Sequence, residues 1–158
     1  MPSRVRAGPV VRDHPGDAGT AAWREGATVA RLTLAAAGRV SAGEAWERYA
    51  QVASWSRWSP QIRSVTCSSS RIRTGATGRV RGPLGVGVDF VVDAVDEESR
   101  QWVWTVCKGP VVLRLHHRVV PVDDGARTTL TMSGPLPVLL GYAPLARLAL
   151  GRLVRPDQ

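Results

Sequence analysis

The sequence predicts an α+β fold: a seven-strand antiparallel sheet curled around a long C-terminal helix, with two short helices after the first strand. Three observations predict it. The middle of the chain is a run of alternating apolar segments separated by gaps too short for crossover helices, so neighbouring strands must pair antiparallel. A capped amphipathic segment interrupts that pattern once, early. A second apolar helical stretch closes the chain.

The 158 residues amount to one domain, and a hydrophobic content of 44% is enough for a real core. Residues 1–26 carry Pro2, Gly8, Pro15, Gly16 and Gly19 among Arg, Asp and Ala with no apolar period. They read as a disordered basic arm, or as the product of a start codon placed too early, ahead of a ligand-binding domain over 27–158. No apolar run approaches the ~20 residues of a membrane span. Arg4, Arg6 and Arg12 are not followed by the apolar block of a secretory signal, and the expected location is cytoplasmic.

The first strand runs over about 28–39, with Leu32 and Leu34 on one side and Arg31 and Thr33 on the other. Ser41-Ala42-Gly43-Glu44 is a capping-box pattern that starts a helix. Ala42, Ala45, Trp46, Tyr49, Ala50 and Ala53 fall on one face of it, and Glu44 and Arg48 pair on the other. Trp55-Ser56-Arg57-Trp58-Ser59-Pro60 is a short helical turn stopped by Pro60. Strands follow at about 62–70, 77–83, 86–95, 101–108, 111–121 and 126–133, divided by turn sequences such as Gly109-Pro110 and Asp124-Gly125. A turn at 136–140 precedes a closing helix over 142–155, whose apolar face is Tyr142, Leu145, Ala146, Ala149 and Leu153. One helix cannot fill a sheet this long, so an apolar cavity is expected.

Alternation predicts which side chains wall it. Val88, Phe90 and Val92 face in, with Asp89 and Asp93 out. Leu113, Leu115, His117 and Val119 face in, with Arg114, His116 and Arg118 out. Leu32, Leu34, Leu130 and Met132 complete the wall, the closing helix with Tyr142 and Leu145 roofs it, and Trp58 marks the entrance. Trp102 and Trp104 share one face of their strand, which is either the cavity wall or the outer surface. Tyr49 lies on the helical face that reads as core or cavity. An inward His117 among apolar neighbours could act as a general acid or base. Arg79 and Arg81 could hold a carbonyl or carboxylate if they turned inward, although their alternation with Val80 also fits a water-facing pair.

The charge of +8 raises nucleic acid as a partner. It is 20 Arg against a single Lys, a ratio that reads as GC-rich coding, and the arginines form no block. Nucleic acid is therefore not expected. Cys67 and Cys107 stand alone and read as free thiols. No residues have metal spacing, there is no phosphate loop and no nucleophile elbow, so no cofactor is expected.

With these elements in order, the chain resembles the START/Bet v 1-like (SRPBCC) superfamily, in its polyketide cyclase/dehydrase and lipid transport branch. Three features carry the resemblance over about 27–155: Trp55-Ser-Arg-Trp58-Ser-Pro60 between helix and strand, the hairpin Val119–Asp124 leading into Gly125-Ala-Arg-Thr128, and the C-terminal helix. It implies a helix-grip fold with a ligand cavity between sheet and long helix. The members' activities imply a polyketide cyclase or aromatase-like protein acting by positioning and acid/base assistance, with His117, Arg79 and Arg81 in the catalytic roles. The alternative it implies is a non-catalytic carrier of a lipid-like molecule. A cyclase would receive its chain from an acidic acyl-carrier protein, which a basic rim could dock.

Overall fold

The computed structural model describes residues 29–157. The expected basic arm, and the first residues of the expected domain, lie outside them. The strands are β1 (Val29–Gly38), β2 (Ser64–Cys67), β3 (Thr77–Arg81), β4 (Gly87–Asp96), β5 (Gln101–Lys108), β6 (Val111–Val122) and β7 (Gly125–Pro135). The helices are α1 (Ala42–Ala50), α2 (Trp55–Trp58) and α3 (Leu136–Leu153). The sheet order is β1-β7-β6-β5-β4-β3-β2, antiparallel throughout. Strands two to seven form a meander, and the first strand returns to pair with the last.

Local chemistry explains the early elements. Ser41 Oγ accepts the Glu44 amide at 3.1 Å and starts α1. The helix ends where two tryptophans take its last carbonyls. Trp55 Nε1 donates to the Tyr49 carbonyl at 2.8 Å and Trp58 Nε1 to that of Arg48 at 3.1 Å. These are acceptors that a helix C-terminus leaves unpaired. Arg48 in turn reaches the far end of the chain, donating to the carbonyls of Leu153 at 2.8 Å and Arg155 at 2.7 Å, past the last turn of α3.

Two sequence expectations are corrected here. The second strand is four residues long instead of nine; Ser68–Arg71 leaves the sheet, and only an isolated bridge from Arg71 to Gln51 follows. The closing helix starts at Leu136, directly after β7, so there is no turn at 136–140. Pro137 sits in its first turn, where a missing N–H costs nothing. Pro144 lies inside the helix but on its exposed side, as does Leu140, whose carbonyl it leaves unpaired, so water can satisfy that carbonyl. The buried face is Leu139, Ala146, Ala149, Leu150 and Leu153, packed on β1 and β7. That face excludes Leu145. By length and hydropathy α3 could cross a membrane, but it is the helix gripped by the sheet.

β4 and β5 settle the tryptophans. Their register runs Val92↔Trp104, then slips to Ala94↔Val103 and Val95↔Trp102. The slip is a bulge at Asp93, whose carboxylate accepts the Thr105 hydroxyl at 2.7 Å. It lets Val92 and Val95 share the inner side, and Trp102 (1% exposed) and Trp104 (8%) both face inward. Gly125 closes the β6–β7 hairpin, where any Cβ would meet the Gly38 carbonyl oxygen at 2.0 Å. β1 can cross that close only because no side chain stands there.

Candidate ligand site

Inward alternation brings one row of large rings together. Trp55, Trp102 and Trp104 pack on one another with centroids 5.1–5.6 Å apart, and Phe90 lies 5.4 Å from Trp104. These rings fill much of the space that sheet and helix enclose. What remains between α2, β5, β6 and α3 is a buried void of about 30 Å³, walled by Trp55, Trp58, Gln61, Trp102, Trp104, Leu115, His117, Leu130, Tyr142 and Ala146. It adjoins a half-open groove of about 310 Å³ under the β3–β4 turn, lined by Val80, Pro83, Val86, Val88, Trp104, Val106, Leu113 and Leu115. Gln61, Ile62, Trp104, Leu115 and Tyr142 belong to both, so groove and void are one site with a wide outer part and a narrow inner end.

His117 faces inward, as alternation predicts, and is buried. Its nitrogens are both engaged. Trp104 Nε1 donates to Nε2 at 3.1 Å. An indole nitrogen can only donate, so Nε2 is unprotonated and the neutral ring carries its proton on Nδ1. Nδ1 then donates to the Tyr49 hydroxyl at 3.2 Å, and that hydroxyl is 2.7 Å from Thr128 Oγ1. Trp102 stacks on the imidazole, 4.7 Å between centroids and 12° between planes. Burial, assisted by the nearby His116, pushes the His117 pKa down to about 3. A ring this hard to protonate, with both nitrogens bonded, holds the interior together and is a poor general acid or base at neutral pH.

The expected arginines are elsewhere. Val80 takes the inner side of β3, and Arg79 and Arg81 point to water. Arg79 is half-exposed and pairs with Asp89 across the outer face at 2.8 Å. Neither lines the site, so the water-facing alternative holds and the inward, catalytic one does not. The reason is the two-residue period of the strand.

The other expected site residues divide. Trp58, Trp104, Leu113, Leu115, Leu130 and Tyr142 line the void or groove. Tyr49, Phe90, Val92 and Met132 are buried in packing behind it. Leu145 is 43% exposed on the outer side of α3 and has no place in the site. Trp58 is not the entrance: it packs edge-on against Tyr49 at 5.4 Å and plugs that end, while the groove opens beside Pro83 and Val86. On the far side of Trp58 lies a larger cleft of about 740 Å³, lined by Arg39, Arg48, Arg57, Arg152, Arg155 and Asp157. Its charged walls do not suit an apolar ligand.

Gln61, Ile62 and Val106 were not legible as site residues. Val106 follows Trp102 and Trp104 at the strand period, so a signal existed. Gln61 and Ile62 follow Pro60 in irregular chain, where no period assigns a direction. Gln61 Nε2 donates to the Tyr142 hydroxyl at 2.8 Å, joining the α2–β2 connection to α3. Burial pushes the Tyr142 pKa up, so its hydroxyl stays protonated. Cys67 and Cys107 are free, half-buried thiols on β2 and β5, and no cluster of metal-binding side chains occurs among the described residues.

Comparison with solved structures agrees with this architecture. The structure of Ara h 8.0201 superposes with a TM-score of 0.62 at 13% identity, covering 80% of this chain and 98% of that one. A point mutant of Thalictrum flavum norcoclaurine synthase, in complex with a transition-state analogue, gives 0.58 at 14% identity, covering 81% and 95%. At these identities the likeness is one of fold: the Bet v 1-like helix grip. No curated protein matches the sequence. Residues 30–157 match the family described as polyketide cyclase / dehydrase and lipid transport, and the chain belongs to that family.

Proposed function

We propose that the protein binds a small, largely apolar molecule in the groove under the β3–β4 turn and holds it as a carrier or sequestering protein. The observation that carries this reading is the groove itself, about 310 Å³ with walls of Val, Leu, Pro and Trp, leading to a buried inner end. That volume is at the lower limit of ordinary ligand sites and suits a molecule of up to about three rings or a short chain. Burial of apolar surface would supply affinity, at about 25 cal/mol per Å² before the costs of association.

Chemistry is the weaker half of the family's repertoire here. A cyclase needs an acid or base at the substrate, and His117 would have to give up a bond to Trp104 or Tyr49 to serve. The cyclase reading keeps two supports: the protonated Tyr142 hydroxyl beside the groove, and the arginine-lined cleft beyond Trp58, whose charge suits an acidic acyl-carrier protein.

Titration with the neutral fluorophore N-phenyl-1-naphthylamine tests the groove. We expect saturable one-to-one binding that Val106→Trp abolishes by filling the groove, with circular dichroism unchanged. Equal affinity in Val106→Trp places the apolar site elsewhere and overturns the reading.

A further inference from the structure

The groove's inner end carries two polar atoms that none of the described residues satisfies. Trp102 is 1% exposed and its Nε1–H has no hydrogen-bond partner among the described residues; Gln61 Oε1 is likewise sealed from solvent and unpartnered among them. Both side chains wall the same void. Buried polar groups are nearly always paired, because an unmade hydrogen bond in a low-dielectric interior is costly. Here the two orphans are of opposite sense, one donor and one acceptor, at the end of an otherwise apolar groove. The void of about 30 Å³ admits an oxygen atom but not a ring.

We infer that the ligand enters with a neutral hydroxyl leading, of the phenol or alcohol class, which accepts from Trp102 Nε1 and donates to Gln61 Oε1. This deepens the binding reading above and rests on it. Other head groups fit worse. A ketone accepts from Trp102 but leaves Gln61 Oε1 orphaned. A carboxylate is an acceptor only, faces the Gln61 oxygen, and finds no positive charge, because neither groove nor void is lined by Arg or Lys and His117 is neutral. The site therefore discriminates against fatty-acid-like anions in spite of the protein's positive charge. Gln61 is pre-oriented for the task, since its amide nitrogen is already committed to Tyr142.

Three probes of one size separate the possibilities: naphthalene, 2-naphthol and 2-naphthoate, each measured by displacement of N-phenyl-1-naphthylamine from the full chain. In the wild type 2-naphthol should bind about tenfold tighter than naphthalene, a hydrogen bond's worth, and 2-naphthoate weaker than both. Trp102→Phe and Gln61→Leu should each bring the affinity ratio of 2-naphthol to naphthalene down from about tenfold toward one, whatever either change does to apolar binding as such. The second variant keeps the aromatic packing intact should the first perturb folding. An unchanged 2-naphthol preference in both variants, or 2-naphthoate binding as tightly as 2-naphthol, overturns the hydroxyl assignment and leaves the groove reading standing. Failure of all three probes and of the fluorophore to bind the wild type overturns both.

Discussion

Trp102 and Trp104 stand two residues apart on β5, face the same way and touch the same imidazole, yet their N–H groups meet different fates. That of Trp104 is taken by His117, and the chain of bonds continues through Tyr49 to Thr128. That of Trp102 has no partner among the described residues. The first belongs to a closed end where helix α1 is bonded to strands β5, β6 and β7. The second belongs to the inner end of the groove. Saturated polar groups in an interior fix a structure, while unsaturated ones beside a void are available to something that arrives later. Here the histidine that sequence reasoning selects for chemistry lies in the saturated half, and an indole that looks like simple packing lies in the other.

The largest effect should come from breaking the closed end. His117→Ala opens a cavity and orphans the Trp104 N–H, and should cost roughly 3 kcal/mol in denaturant unfolding; a loss under about 1 kcal/mol would mean that the network is not structural. The next effect is one of pH. The folded state holds His117 neutral down to a pKa of about 3, whereas the unfolded chain protonates it near 6.5. Between these values the unfolded state binds the extra proton, so this contribution is complete above pH 6.5 and declines as pH falls toward 3. The slope approaches about 1.4 kcal/mol per pH unit. Stability measured from pH 7 to pH 4 should fall more steeply in the wild type than in His117→Gln, and parallel curves would refute the buried neutral histidine. The smallest effect sharpens the comparison most. Trp104→Phe and Trp102→Phe remove the same volume, but only the first leaves His117 Nε2 without its donor, so it should be the less stable by about 1 kcal/mol. Equal melting curves would erase the distinction between the two ends.

The sheet and its order were legible because strand alternation and short turns leave few topologies open. Leu113, Leu115 and His117 were placed by the same two-residue period, which put Trp102 and Trp104 on one face without saying which side that face takes. The start of α3 was not placed, because Gly141 and Pro144 read as separating the helix from a turn at 136–140. Only the structure shows Pro137 in the first turn of a longer helix and Pro144 on its wet side. Leu145 failed for the same reason, since a face drawn from Tyr142 is offset from the one anchored by Leu139. How much of the expected cavity is filled by side chains was not legible either. Composition counts aromatic rings but does not say that Trp55, Trp102, Trp104 and Phe90 converge on one volume.

β1 lies at the end of the sheet order, and among the described residues its strand partner is β7 alone. The pairing Val29↔Pro135 joins positions more than a hundred residues apart, with every other strand made in between. On a ribosome this strand emerges before the other six described strands and must wait for the last of them. Its hydrogen-bonding edge and Leu34 stay open until β7 and then α3 follow. Closure of the grip is therefore a late, entropically expensive contact, and the speed of folding depends on a strand pair that no local sequence feature can hasten.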